Sequence, residues 1–211
     1  VTVMLLLYLY QSKLIYPAPE TQFNIPLPEN ILKIDLDLSH SYLLMPKLGS
    51  KKVTPLMIFT HGNAELASHW LNDFKPLLEN NIAVLVIEYP GYGGSTAETN
   101  LQTINKTMLE AYDLVSNLPV IDKKKIFAYG RSIGGGAAAL LAKQRPLSAL
   151  GLESTFSSFP VILKTSIFSD KFLLTIFTKF LTVPTSKDSL VIDSTSKLIL
   201  FDENFSISPK V

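Results

Sequence analysis

The chain has 211 residues, of which 47% are hydrophobic and 18% charged, and its formal net charge is +1 at pH 7. This composition indicates one packed globular domain rather than a disordered chain, and it offers no basic field for a phosphate backbone, so nucleic acid is not an expected partner. The complete absence of cysteine excludes disulfides, a thiol nucleophile and thiolate metal ligands.

Residues 1–16 form an apolar amino-terminal segment. Its uninterrupted apolar run, residues 3–9, is much shorter than the roughly 20 residues of a membrane-spanning helix. Tyr8 and Tyr10 followed by Lys13 are typical of the interfacial end of an anchor. Because the chain does not begin with methionine, we expect this segment to be the end of a truncated membrane anchor or signal-peptide core. The alternative is an apolar edge segment packed on the domain.

The first predicted strand covers residues 31–39, where apolar and charged residues alternate. Such alternation is typical of a strand with one solvent-facing side near the edge of a sheet. A second short strand is predicted at residues 42–45, followed by a turn. The residues expected on the apolar face are Leu32, Ile34, Leu36 and Leu38, opposite Lys33, Asp35 and Asp37.

From residue 56 onward, apolar runs alternate with stripes at helical spacing, and residues 17–153 are predicted to form the core of the domain. This alternation predicts an α/β fold with a mostly parallel sheet covered by helices on both faces. In such sheets the functional loops lie beyond the carboxyl ends of the strands. The predicted strands are 56–60, 83–87, 126–129 and 149–152, and the predicted helices are 66–77, 101–118 and 133–144.

The alternation of predicted strands and helices ends after residue 153. Residues 154–197 are rich in serine, threonine and phenylalanine and predict a cap or irregular insertion over the site. Residues 198–211 predict a further core strand, at 198–201, and a tail.

The strongest chemical motif is G-R-S-I-G-G-G at residues 130–136. It follows a buried strand and opens a helix, which is the context of a nucleophile elbow. The tight turn requires small residues, hence Gly130 and Gly134, and it exposes Ser132 as a nucleophile. The backbone N–H of Ile133 then points to where an oxyanion forms. The alternative is a glycine-rich turn that only permits close packing.

A second motif, T-H-G-N-A at residues 60–64, also follows a buried strand directly. A loop in this position is expected to supply a second oxyanion donor, through the N–H of Asn63 or Ala64. Gly62 lets the backbone approach a substrate. His61 could be considered as a general base, but its place in the loop favours a structural role that braces it.

A third motif, E-Y-P-G-Y-G-G-S at residues 88–95, follows the next predicted strand. It lacks the G-K-[ST] ending of a phosphate loop. We therefore expect it to line the site rather than to bind phosphate.

Together these motifs resemble the α/β-hydrolase superfamily and, within it, the Bem46-like and ABHD13-like membrane-anchored serine hydrolases. The resemblance covers residues 11–158 and includes Q-S-K-L-I-Y-P, H-G-N-A, E-Y-P-G-Y-G-G-S, Y-G-R-S-I-G-G-G and L-E-S-T-F-S-S in the family order. It implies a Ser-Asp-His triad, in which Ser132 is the nucleophile and Ile133 an oxyanion donor.

The resemblance also implies an acid after the next strand and a histidine after the final strand. Asp202 is the predicted acid, and Glu203 and Glu153 compete with it. Of the three histidines in the chain, the last is His69. We therefore expect the fold to lack its last strand and helix, and the activity of this chain to be impaired.

The resemblance implies a serine hydrolase that acts on ester or thioester substrates, acyl or lipid-like small molecules, through an acyl-serine intermediate. It also implies membrane association through residues 1–16. Two alternatives remain open: a catalytically inactive hydrolase-fold binding protein and a serine aminopeptidase-like peptidase. Nothing in the sequence indicates a cofactor or a metal, and His40 and His69 are expected to be structural or solvated.

Overall fold

A computed structural model describes residues 16–19, 26–47 and 53–155, together with the backbone of residues 189–192 and 197–201. These residues form one sheet of eight strands, flanked by helices. The strands are β1 Ile31–Asp35, β2 His40–Leu44, β3 Thr54–Thr60, β4 Ala83–Ile87, β5 Ile121–Arg131, β6 Ala149–Glu153, β7 Ser189–Ile192 and β8 Lys197–Phe201. The helices are α1 Lys75–Glu79, α2 Leu101–Ser116 and α3 Ile133–Gln144, and a 3-10 turn covers Ala67–Trp70.

The strand order in the sheet is β1-β2-β4-β3-β5-β6-β8-β7. The four central strands, β4, β3, β5 and β6, are parallel, whereas β1 and β2 at one edge and β8 and β7 at the other pair antiparallel. The predicted α/β class with a parallel core is therefore confirmed. The carboxyl ends of β3, β4, β5 and β6 meet at one edge, which carries all three motifs.

Both faces of the central strands are buried. In β3, Leu56 and Ile58 face the core formed with α2 and α3, and Met57 and Phe59 face a second core formed with the 3-10 turn and the segment leading into α1. β4 lies between the same two cores, and all five of its side chains are buried. Continuous apolar runs are expected of strands covered on both sides, so the sequence pattern and the packing agree.

Two predicted elements differ from the structure. The helix predicted from Leu66 to Leu77 is split into the 3-10 turn and α1, because Pro76 has no N–H to donate within a continuous helix and instead stands in the first turn of α1. β1 ends at Asp35, and Leu32 is 53% exposed although it was predicted on the apolar face. β1 is one of the two edge strands, in agreement with its predicted place near a sheet edge, and only part of its apolar side is covered.

The predicted strand at 198–201 is present as β8, but it runs antiparallel to β6. Lys197 pairs with Glu153 at the carboxyl end of β6, and Phe201 pairs with Ala149 at the amino end. β7 lies within the predicted cap at 154–197, and residues 156–188 and 193–196 of that cap lie outside the described residues.

The predicted amino-terminal anchor, residues 1–16, lies outside the described residues except for Tyr16. In the described ranges, no helix combines the length and the apolar character that crossing a membrane requires.

Candidate active site

Ser132 lies between the end of β5 and the first residue of α3. Its backbone has φ 54° and ψ −119°, a region that is strained for a residue with a side chain. The Ser132 N–H donates to the carbonyl oxygen of Glu153 at 2.8 Å, which ties the turn to the end of β6. Such a strained strand-to-helix turn is the geometry of a nucleophile elbow. We call residues 130–134 the elbow.

The elbow glycines are needed because three backbone segments touch there. A Cβ on Gly130 would lie 2.4 Å from the Gly134 carbonyl oxygen, and a Cβ on Gly134 would lie 2.3 Å from the Thr60 carbonyl oxygen. The hydroxyl of Thr60 donates to the Gly134 carbonyl at 2.9 Å. The end of β3 is therefore held directly against the start of α3.

Gly134→Ala is expected to destabilise the fold, whereas Gly136→Ala, two residues further along α3, is expected to stabilise it. The Gly134 methyl would overlap backbone oxygens of Thr60 and His61, which costs about 1–3 kcal/mol or more. A Cβ on Gly136 meets nothing within 4 Å, so alanine should add about 0.4–1 kcal/mol of stability. Urea unfolding of both variants gives the comparison. Equal effects of the two substitutions would contradict the close packing of the elbow.

The loop after β3, residues 61–65, lies against the elbow, and we call it the oxyanion loop. Ala64 has φ 56°, so the loop reverses through a left-handed residue. The Ala64 N–H donates to its neighbour, Asn63 Oδ1, at 3.1 Å, and the Tyr92 hydroxyl donates to the same oxygen at 3.1 Å. A substrate oxygen would have to displace the Asn63 side chain before it could use the Ala64 amide.

His61 lies beneath this loop with no solvent exposure. Its Nδ1 is 2.9 Å from the Gly62 carbonyl oxygen, and its Nε2 is 3.0 Å from Glu88 Oε1. A carbonyl oxygen only accepts hydrogen bonds, so Nδ1 is the donor to Gly62. Both ring nitrogens are thus occupied inside the protein. These contacts support the bracing role expected for His61.

Glu88 is one of the residues that the sequence analysis did not single out. It is 1% exposed and accepts from the backbone N–H of Tyr89 at 3.2 Å and of Ala67 at 3.0 Å, in addition to its contact with His61. One buried carboxyl therefore joins the end of β4, the 3-10 turn and the oxyanion loop. The signal in the sequence that could have found Glu88 is its position, because a charged residue there directly follows a strand of five buried apolar residues.

Two buried tyrosines complete the support of the loop. The Tyr89 hydroxyl donates to the His61 carbonyl oxygen at 2.6 Å. Burial raises the pKa of Tyr89 well above its usual value, with a further contribution from Glu88, and burial also raises the pKa of Tyr92. Both phenols therefore stay neutral at physiological pH and keep their roles as donors.

A charged cluster lies beside Ser132. Arg131 donates to Glu65 Oε1, its Nε is 4.0 Å from Glu153 Oε1, and its guanidinium lies 5.3 Å from the centroid of the Trp70 ring. The Tyr129 hydroxyl donates to Glu153 Oε2 at 2.9 Å. The sequence analysis weighed Glu153 as a candidate acid and missed Glu65 and Arg131.

The remaining predicted site residues fall into two groups. Ile133 is the first residue of α3, and the amides of a first helical turn have no acceptor within the helix. Asp202 and Glu203 lie outside the described residues, and Asp202 stays a prediction. The residue before it, Phe201, pairs at the amino end of β6, four strand residues or about 13 Å from Glu153.

The other two histidines have structural partners. His40 Nε2 lies 3.1 Å from the Tyr42 hydroxyl, and His69 Nδ1 accepts from the Leu66 N–H at 3.3 Å. Among the residues that the structure describes, no group of three or more histidine, aspartate or glutamate side chains is placed to hold a metal ion.

No protein-family model matches the chain. Protein bem46 of Schizosaccharomyces pombe is 35% identical over an alignment of 180 residues, which covers 75% of this chain and 58% of that protein. The alpha/beta hydrolase domain-containing protein WAV2 of Arabidopsis thaliana is 31% identical over an alignment of 166 residues, which covers 72% of this chain and 54% of that protein. The chain thus spans a little more than half the length of these curated relatives.

Solved structures agree on the fold. A hypothetical protein from Pseudomonas aeruginosa matches with a TM-score of 0.54 at 15% identity, over 65% of this chain and 49% of that one. A dienelactone hydrolase-like promiscuous phosphotriesterase from metagenomic libraries matches with a TM-score of 0.50 at 16% identity, over 59% of each chain. At these identities the likeness shows the fold alone. With the sequence relatives, it confirms the resemblance: the chain belongs to the α/β-hydrolase family and is related to Bem46.

Proposed function

We propose that this chain carries the nucleophile of a serine hydrolase that cleaves ester or thioester bonds of acyl or lipid-like small molecules. The observation that carries the proposal is the backbone of Ser132, held at φ 54° between β5 and α3. A strained residue at the start of a helix, beside a loop of the neighbouring strand, is the arrangement that exposes a nucleophile to an acyl carbonyl.

In the proposed reaction, Ser132 Oγ forms a bond to the acyl carbonyl carbon and loses its proton to a general base. The carbonyl oxygen becomes an oxyanion, which the Ile133 N–H and an amide of the oxyanion loop stabilise. The alcohol or thiol leaves with a proton, and water then hydrolyses the acyl-serine.

The general base is not His61, because that ring is buried and both of its nitrogens are occupied. We propose that the whole protein supplies the base from residues that follow the sheet described above, as the resemblance implies. The acid that orients the base is then Asp202, Glu203 or Glu153. Of these, Glu153 belongs to the strand next to the nucleophile.

A panel of substrates tests the proposed reaction. Purified whole protein should hydrolyse p-nitrophenyl esters and acyl thioesters faster than peptide p-nitroanilides, and Ser132→Ala should remove the difference. Faster turnover of peptide substrates would replace the ester proposal with a peptidase. A folded protein that binds acyl compounds but turns over none of the panel would indicate a binding protein.

We also propose that residues 1–16 attach the domain to a membrane. The support is the apolar run ended by Tyr8, Tyr10 and Lys13. Lipid vesicles should retain the chain in flotation, and deletion of residues 1–16 should release it. Equal retention of both forms would refute the attachment.

A further inference from the structure

We propose that the Glu65–Arg131 ion pair is a positioning device that fixes the oxyanion loop in register with the nucleophile elbow. The inference rests on the proposed function of Ser132. It assigns a role to two residues that touch no reacting atom and act through their neighbours.

We call this ion pair the bridge, and Glu65 forms its end on the oxyanion loop. Its Oε2 accepts from the Gly62 N–H at 2.9 Å and from Trp70 Nε1 at 3.1 Å, and its Oε1 accepts from Arg131. The carboxylate also lies 3.2 Å from where a Cβ of Gly62 would be. Glu65 therefore fixes the backbone of the oxyanion loop immediately before Asn63.

Arg131 holds the elbow end. It is the last residue of β5 and directly precedes Ser132, so a displacement of its backbone is passed to the strained turn. Its guanidinium lies between Glu65 and Glu153 and against the Trp70 ring. The carboxylates on its two sides belong to the loop after β3 and to the end of β6.

The geometry gives the bridge a kinetic rather than a mainly structural role. Arg131 is 38% exposed and Glu65 24%, and ion pairs with this much solvent access contribute little to folding. In contrast, the two halves of an oxyanion hole must be aligned to a fraction of an ångström, and a misplacement of about 1 Å can lower a rate about 10²-fold. The bridge joins the loop and the elbow that carry those two halves.

Five variants of the whole protein test the inference. Glu65→Gln keeps the shape and an acceptor for Gly62 but removes the charge, and Arg131→Met keeps the stem against Trp70. The double variant and Arg131→Lys test coupling and partial rescue. Asp113→Asn is the matched control, because Asp113 forms an ion pair of similar exposure with Arg145, 2.7 Å apart, between α2 and the end of α3.

The readouts are kcat and KM for a p-nitrophenyl ester, the rate of Ser132 labelling by a fluorophosphonate, and the melting temperature. We expect Glu65→Gln and Arg131→Met each to lower kcat and the labelling rate about 10–100-fold with little change in KM, because the oxyanion forms only in the transition state. The double variant should be no slower than the slower single variant, and Arg131→Lys should be faster than Arg131→Met. Asp113→Asn should keep the parental kcat.

Parental rates in Glu65→Gln and Arg131→Met would overturn the inference while Ser132-dependent labelling upheld the proposed function. The inference would also be overturned if the fold-losses in kcat of the two single variants multiplied in the double variant. The same holds if kcat fell only in proportion to a fall in the melting temperature. If Glu65→Gln does not fold, the comparison of Arg131→Lys with Arg131→Met decides. Labelling that persists in Ser132→Ala would instead refute the proposed function and the inference with it.

Discussion

Ser132→Ala is expected to lower kcat/KM for ester hydrolysis by the whole protein by about 10³-fold or more. The methyl group cannot form the acyl intermediate, and only the oxyanion donors and substrate binding remain to accelerate the attack of water. The measurement is initial-rate kinetics with a p-nitrophenyl ester. Alanine leaves the backbone turn in place, so the melting temperature should change little.

Ser148→Ala is the matched control for this substitution. Its hydroxyl donates to the Ile126 carbonyl oxygen at 2.8 Å, just before the amino end of β6, whereas Ser132 lies at the carboxyl edge. Its kcat/KM should equal that of the parent protein. A parental rate in Ser132→Ala, or equal losses in both variants, would contradict the assignment of the nucleophile.

Glu88→Ala is expected to cause the largest loss of stability, about 3–5 kcal/mol in the free energy of unfolding. The change leaves His61 buried without the partner of its Nε2 and removes the acceptor of the Ala67 and Tyr89 amides. Breaking a buried pair from one side typically costs this much. The total free energy of unfolding of a native domain is only about 5–15 kcal/mol, so the variant should be close to unfolding. Urea unfolding at fixed pH measures the difference.

Two further substitutions make this result specific. Glu88→Gln keeps the shape and can donate from its amide to a neutral His61, so the expected loss is smaller, about 1–3 kcal/mol. Glu79→Ala removes an exposed carboxylate that lies 3.9 Å from Lys75, and it should cost no more than about 0.5 kcal/mol. A Glu88→Ala variant as stable as Glu79→Ala would show that the buried pair does not brace the loop.

The central part of the fold and the tight turn at Ser132 could be predicted from the sequence because their determinants are local. An apolar run covered on both faces gives a strand such as β4 whatever its partners are. The elbow needs Gly130 and Gly134 within a few residues of Ser132, and that spacing is visible in one motif. The strained backbone of Ser132 is a consequence of the same short segment.

The support of the site could not be predicted, because its contacts join residues far apart in the chain. Glu88 and His61 are 27 residues apart, and Arg131 and Glu65 are 66 apart. The parallel pairing of β3 with β4 and β5 brings each pair to one edge of the sheet. A single sequence specifies that these strands exist but not their order or register, so these partners stay hidden.

The direction of a strand and the continuity of a helix were also left open by the local sequence pattern. The apolar residues of β8 predict a strand, but an antiparallel strand has the same pattern as a parallel one, and only the pairing of Phe201 with Ala149 shows which it is. Likewise, the spacing from Leu66 to Leu77 is compatible with one helix. The missing N–H of Pro76 divides it.

The central claim is that Ser132 is an activated nucleophile, and covalent labelling tests it most directly. The whole protein would be treated with a fluorophosphonate and digested, and the modified residue would be located by mass spectrometry. The account predicts one label per molecule, on the peptide that contains Ser132, and none in Ser132→Ala of the same melting temperature. A folded protein that stays unlabelled, or a label on another serine, would contradict it.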